Sequence, residues 1–196
     1  MLKVGITGGI GSGKSVVCRI FKLLGIPVYN ADEAAKKLMQ NDQSVKQQLT
    51  LALGNVYDSQ GQLDRKKVAE LIFHNHELLN AVNNIVHPAV IADYVEWEQN
   101  IKTPYCIRES AILFESGTNK DLDKIILVDA PEELRIERIM QRDHRTREEI
   151  NLILQKQWSA DKKKELSDYV IINDGQQALL PQVLNLHQHL MNLAKP

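Results

Sequence analysis

Gly8-Gly9-Ile10-Gly11-Ser12-Gly13-Lys14-Ser15 satisfies the pattern G-x-x-x-x-G-K-[ST]. An apolar, β-branched run from Leu2 to Thr7 precedes it, and a stretch of helical periodicity from Lys14 to Leu24 follows. Strand, glycine loop and helix in that order form a phosphate cradle: backbone N–H groups turn inward around phosphate oxygens, and the helix N-terminus adds partial positive charge. In such a cradle Lys14 reaches the β- and γ-phosphates, and the Ser15 hydroxyl is a ligand for Mg²⁺. Gly9, Ile10, Gly11, Ser12, Gly13 and Val16 complete the expected nucleotide-binding loop. A glycine-rich turn without a ligand is the alternative, but it leaves the Lys-Ser pair at the helix start unexplained. The chain is expected to bind a nucleoside triphosphate.

Outward from the loop, short apolar runs recur at Ile26 to Asn30, Pro104 to Glu109, Lys124 to Asp129 and Tyr169 to Asn173. Each reads as a buried parallel strand. Helical periodicity fills the stretches Asp32 to Met39, Glu132 to Arg142, Glu148 to Trp158 and Gln177 to Leu193. The alternation predicts an α/β fold with a five-stranded parallel sheet flanked by helices. From about 42 to 102 the rhythm breaks. Val45 to Leu53, Arg65 to Phe73 and Leu78 to Trp97 read as helices without an intervening strand, so a helical insertion is expected between the second and third strands, with the core in 1–41 and 103–196. Tyr57 to Gly61 reads as a turn, and Lys162-Lys163-Lys164-Glu165 as a solvated charge run.

The chain has 196 residues, 43% hydrophobic and 25% charged, which suits one domain with an insertion and excludes disorder as the default. Lys and Arg number 24 against 25 Asp and Glu, so the bulk positive field that draws proteins to nucleic acid or anionic membranes is lacking. Neither partner is expected, nor an obligatory protein partner. Cys18 and Cys106 fit neither a disulfide framework nor a CxxC metal spacing. The glycine cluster interrupts any N-terminal apolar core, and no apolar run approaches the roughly 20 residues of a membrane span. The expected location is the cytoplasm. His74 with His76, and His187 with His189, are two residues apart and so point to different faces of a helix, which argues against a protein-bound transition metal. Mg²⁺ is expected to arrive with ATP.

Among proteins with this loop, a GTPase is the first rival, since Asn119-Lys120-Asp121 superficially resembles the guanine-reading Asn-Lys-x-Asp element. The required Asp would fall at Leu122, and the segment precedes the strand Lys124 to Asp129 instead of following one. Motor-type ATPases usually need more length and a partner surface. A small-molecule kinase fits better.

Further segments sharpen that reading. They are Val28-Tyr29-Asn30-Ala31-Asp32, Gly61-Gln62-Leu63-Asp64-Arg65 running to Ile72-Phe73, Ile85-Val86-His87-Pro88, Leu113-Phe114-Glu115-Ser116-Gly117, Gln141-Arg142-Asp143, and Asp168-Tyr169-Val170-Ile171-Ile172-Asn173-Asp174-Gly175. With the opening Gly5 to Ser15, these matches make the chain resemble the dephospho-CoA kinase family from Gly5 to Gly175. The resemblance implies a P-loop kinase fold, a helical insertion that binds the acceptor, and a mobile lid at about 138–150. It also implies transfer of the ATP γ-phosphoryl group to the ribose 3′-hydroxyl of dephospho-CoA. Three positions depart from the family's usual pattern: Asn30 stands for an additional Asp, Val16 for Thr, and Ala111 for Pro.

On that resemblance Asp32, just past a predicted strand's carboxyl end, is the candidate base; the competing reading is a helix N-cap. Glu109, ending the third strand, is expected to hold a Mg²⁺ water, against a charge that merely ends a strand. Arg135, Arg138, Arg142 and Arg145 would share one face of a continuous helix, with Arg142 and then Arg138 favoured as catalytic lid arginines, against a solvated face paired to glutamates. Arg65 and His87 are acceptor contacts by resemblance, against an exposed residue after an Asp64 cap and a structural histidine. Phe114 and Glu115 border the acceptor in the same way, and Asn173 and Gly175 border the adenine.

Overall fold

The structure, a computed structural model, describes residues 1–73 and 75–194; His74 lies outside them. Contacts divide the chain into two compact units, Met1–Asn30 with Ile101–Pro196, and Ala31–Asn100.

The first unit holds a parallel sheet of β1 (Leu2–Thr7), β2 (Val28–Asn30), β3 (Tyr105–Glu109), β4 (Lys124–Asp129) and β5 (Tyr169–Ile172) in the order β2-β3-β1-β4-β5. All five predicted strands are present. β1 is central, and its consecutive residues Val4, Gly5, Ile6 and Thr7 are all buried, as a strand covered on both faces requires. Helix α1 (Lys14–Leu23) and the C-terminal helix (Leu179–Leu193) cover one face, where Val17, Phe21, Val183 and Leu190 pack on Ile6, Ile107, Ile126 and Val128. The chain passes from β1 to β2 on one side and reaches β4 on the other. The order therefore reverses at β1, whose carboxyl end lies between those of β3 and β4, the place where open α/β sheets bind ligands.

The second unit comprises α2 (Ala31–Asn41), α3 (Gln43–Leu53), α4 (Arg65–Phe73) and α5 (His76–Gln99). It begins at Ala31, not near residue 42, because α2 packs with the other helices: Ala35 and Met39 lie on Val45, Leu49, Val82 and Val86. The turn at 57–61 is built by Asp58, whose side chain accepts from the backbone N–H groups of Gln60 and Gln62. Gly61 presents its carbonyl to Lys46 Nζ and Gln40 Nε2.

After β4 come α6 (Glu132–Asp143), α7 (Arg147–Leu154) and α8 (Ala160–Glu165), and the C-terminal helix is α9. Two expectations are corrected here. The arginine helix is not continuous: His144 adopts a left-handed conformation (φ 54°), and Thr146 opens α7 with a capping box to Glu149, so Arg145 lies off the α6 face. Nor is the lysine run solvated throughout. Lys163 is 1% exposed, donating to the Ala111 carbonyl and pairing with Glu115 at 2.8 Å, while Lys162 and Lys164 are exposed.

Candidate active site

The loop after β1 is shaped by close approach. Gly11 (φ 80°) lies against the Arg135 backbone, and Gly13 (φ 95°) against Asn173 Nδ2, so a Cβ at either would be strained by conformation and blocked by its neighbour. Asn173, expected at the nucleotide, sits on the loop: its Nδ2 donates to the Ser12 carbonyl at 2.7 Å. Arg138 joins them, its Nη2 donating to the Asn173 carbonyl at 3.1 Å and its Nη1 to the Gly11 carbonyl at 3.5 Å. Lys14 Nζ donates to the Gly8 carbonyl at 2.9 Å. Ser15 and Val16 are exposed in the first turn of α1, and Gly175 (φ 82°) turns the chain toward α9.

At the neighbouring strand ends, Asn30 and Glu109 are register partners of β2 and β3, and Asn30 Nδ2 donates to Glu109 Oε2 at 2.5 Å. The Asn that departs from the family pattern thus orients the 5%-exposed Glu109 as a neutral donor. The Ser15 hydroxyl and the Glu109 carboxylate are hard oxygen donors of the kind Mg²⁺ takes, directly or through water. Among the described residues no group of three or more His, Cys, Asp or Glu side chains could hold a metal ion. Cys18, behind the loop on α1, is buried, and desolvation above all pushes its thiol up to about 12.

The two arginines expected to serve a lid divide. Arg138 lies at the loop, whereas Arg142 is exposed and grips Asp143 through Nε at 2.7 Å and Nη2 at 2.8 Å, which raises the Arg142 pKa and lowers that of Asp143. Arg135, placed on the same predicted face but not favoured there, is buried beside Gly9, with Nη2 on Glu132 at 3.2 Å. Phe114 is buried and stacked on Trp158 with rings parallel to 1°. Glu115 Oε1 accepts from the Trp158 N–H at 2.8 Å and from Lys163. Asp121 holds Arg108 at 2.6 Å, which assigns the GTPase-like segment a structural task.

The helical unit carries Asp32, Arg65 and His87. Asp32 lies inside the first turn of α2, which starts at Ala31, so the N-cap alternative does not hold. Next to it Glu33 is held below the usual carboxylate range, first by its hydrogen bond to Lys36 and further by Arg65. Arg65 is exposed at the start of α4, where Asp64 Oδ1 accepts from the Lys67 N–H at 3.0 Å as a cap. His87 is half-buried before Pro88 in α5, and burial lowers its pKa. On α9, His187 and His189 diverge to Tyr105 and Tyr169.

Fold and loop together define a P-loop kinase. A family model for dephospho-CoA kinase matches residues 2–178, and the chain belongs to that family. Curated dephospho-CoA kinases from Porphyromonas gingivalis (42% identity, 95% of this chain and 93% of the relative) and Coxiella burnetii (39%, all of both chains) are similar throughout. The structure of dephospho-CoA kinase from Campylobacter jejuni superposes with a TM-score of 0.72 at 27% identity over 98% of both chains. A crystal structure from Thermus thermophilus reaches a TM-score of 0.86 at 29% identity, covering 100% of this chain and 98% of the other.

Proposed function

We infer that the protein transfers the γ-phosphoryl group of ATP to the ribose 3′-hydroxyl of dephospho-CoA, giving coenzyme A and ADP. The observation that carries this is membership of the dephospho-CoA kinase family over residues 2–178, joined to a phosphate loop with Lys14 and Ser15 in place. A bond forms between the 3′-oxygen and the γ-phosphorus, the bond to the β,γ-bridging oxygen breaks, and the hydroxyl proton leaves. Such transfer requires positioning and charge neutralisation more than covalent help.

In this reading the loop from Gly9 to Val16 cradles the phosphates, and Lys14 exchanges the Gly8 carbonyl for phosphate oxygens. Asn173 and Gly175 border the adenine. Ser15, and Glu109 through a water, hold the Mg²⁺ that accompanies ATP, which supplies charge neutralisation at the phosphates. Asp32 orients the 3′-hydroxyl and accepts its proton. Arg138 and Arg142 act from the lid, 138–150. Arg142, paired here with its neighbour Asp143, is the arginine that can swing onto the transferring group. Arg65 and His87 meet the acceptor. Phe114 and Glu115 wall its end of the site, held by Trp158 and Lys163. The reaction belongs in the cytoplasm, where thiols such as Cys18 and Cys106 stay free; among the described residues no helix is long and apolar enough to cross a membrane.

The test is incubation with ATP, Mg²⁺ and a panel of dephospho-CoA, AMP, dTMP, shikimate and pantothenate, with products identified by mass and fragmentation. Selective 3′-phosphorylation of dephospho-CoA is expected. Phosphorylation of another member, with dephospho-CoA untouched, overturns the reading.

A further inference from the structure

Ile10 in the phosphate loop is gripped by chain more than a hundred residues away in sequence. Its side chain packs against the buried cluster of Ile136, Ile139 and Ile150 from α6 and α7. Its backbone N–H donates to Gln157 Oε1 at 3.0 Å. Gln157 stands in the turn between α7 and α8, where its own N–H donates to the Leu154 carbonyl at 3.0 Å. The next residue is pinned more firmly. The Trp158 N–H donates to Glu115 Oε1, its ring stacks on Phe114, and Lys162 Nζ lies 3.4 Å from the ring centroid on Trp158. Lys163 ties α8 to Glu115 and to the Ala111 carbonyl. A carbonyl oxygen is thus held at a fixed place against the loop by elements anchored after β3.

A glycine-rich loop loses much backbone entropy when it orders around a ligand. Apparent affinity is intrinsic affinity reduced by the fraction of loops already in the receiving shape. A hydrogen bond that restrains Ile10, immediately before Gly11, raises that fraction without touching nucleotide. Its loss would also leave the Ile10 N–H to seek another acceptor within the loop.

We propose that Gln157 is a positioning residue for the phosphate loop: by accepting the Ile10 N–H it holds the loop in its nucleotide-receiving form and links nucleotide affinity to the α7–α8 connection. The inference rests on the ATP reading of the loop, which ADP binding to the wild-type protein checks by itself.

The experiment compares wild type with Gln157→Met, which keeps length but lacks a strong acceptor, and Gln157→Glu, which keeps an oxygen. Titration calorimetry with ADP and Mg²⁺ and hydrogen exchange at the Ile10 amide are the readouts. Gln157→Met is expected to weaken ADP binding about tenfold and to speed Ile10 exchange by about the same factor. Gln157→Glu is expected to keep Ile10 exchange within about threefold of wild type, which simple loss of packing would not restore. Unchanged ADP affinity and Ile10 exchange in Gln157→Met overturn the proposal, as does an equal rise in exchange in both variants. Failure of the wild type itself to bind ADP overturns the loop reading instead.

Discussion

Asp32 is separated from Asn30 by a single residue, yet the two have different places: Asn30 donates to Glu109, and Asp32 lies in the first turn of α2 in the helical unit. If Asp32 orients the acceptor hydroxyl, Asp32→Asn should lower kcat by about a hundredfold or more and leave the KM for ATP nearly unchanged, as steady-state kinetics with each substrate varied would show. His87 offers a pH test. Burial lowers its folded pKa below the ordinary value of about 6.5, so the unfolded chain binds the proton more readily between the two values. Stability should therefore fall as pH drops from about 6.5 through the lowered folded value, and be free of this penalty above it. Melting temperatures of wild type and His87→Gln between neutral and mildly acidic pH check this: the variant should lose less stability on acidification.

Among the elements, α1 connects core to chemistry. Its first turn presents Lys14 and Ser15, while Val17, Cys18 and Phe21 anchor its other face on the sheet. Phe21 is wholly buried and meets Tyr105 edge to face, with centroids 6.5 Å apart. Phe21→Ala should cost about 3–5 kcal/mol, measured by urea denaturation, because transfer and cavity penalties add. The break between α6 and α7 has its own cause. His144 turns left-handed and the Thr146–Glu149 box restarts the helix, so Arg138 stays at the loop while Arg142 ends beside Asp143. The box was legible as Thr-x-x-Glu in the sequence; the arginine spacing concealed it because three-and-four periodicity says nothing about where a helix stops.

For the whole molecule, nucleotide binding and folding are linked, since the cradle exists only when β1, α1, α6 and the β5 end are assembled. ADP with Mg²⁺ at about 100 times its Kd should add about 2.7 kcal/mol, raising Tm by about 5–10 °C for a chain of this size. Differential scanning fluorimetry with and without ADP reads this directly, and no shift would contradict nucleotide binding by the native fold.

Alone, the sequence determined the five strands, the phosphate loop and the family, because those signals are local: apolar runs of strand length, glycines before Lys-Ser, and motifs of a few residues. It also named Asn173 and Arg138, which the fold brings together on the loop. Only the tertiary structure decided which charges are buried and what they hold. Lys163 sits within a lysine run that composition marks as solvated, yet α8 turns it inward to Glu115. Gln157 carries no motif, and the arginine spacing that includes Arg135 does not say what it touches; their contacts with Ile10 and Gly9 arise from packing α6, α7 and the following turn against a loop far away in sequence. Side-chain partners at such separations depend on how elements pack, and local propensity and periodicity do not encode that.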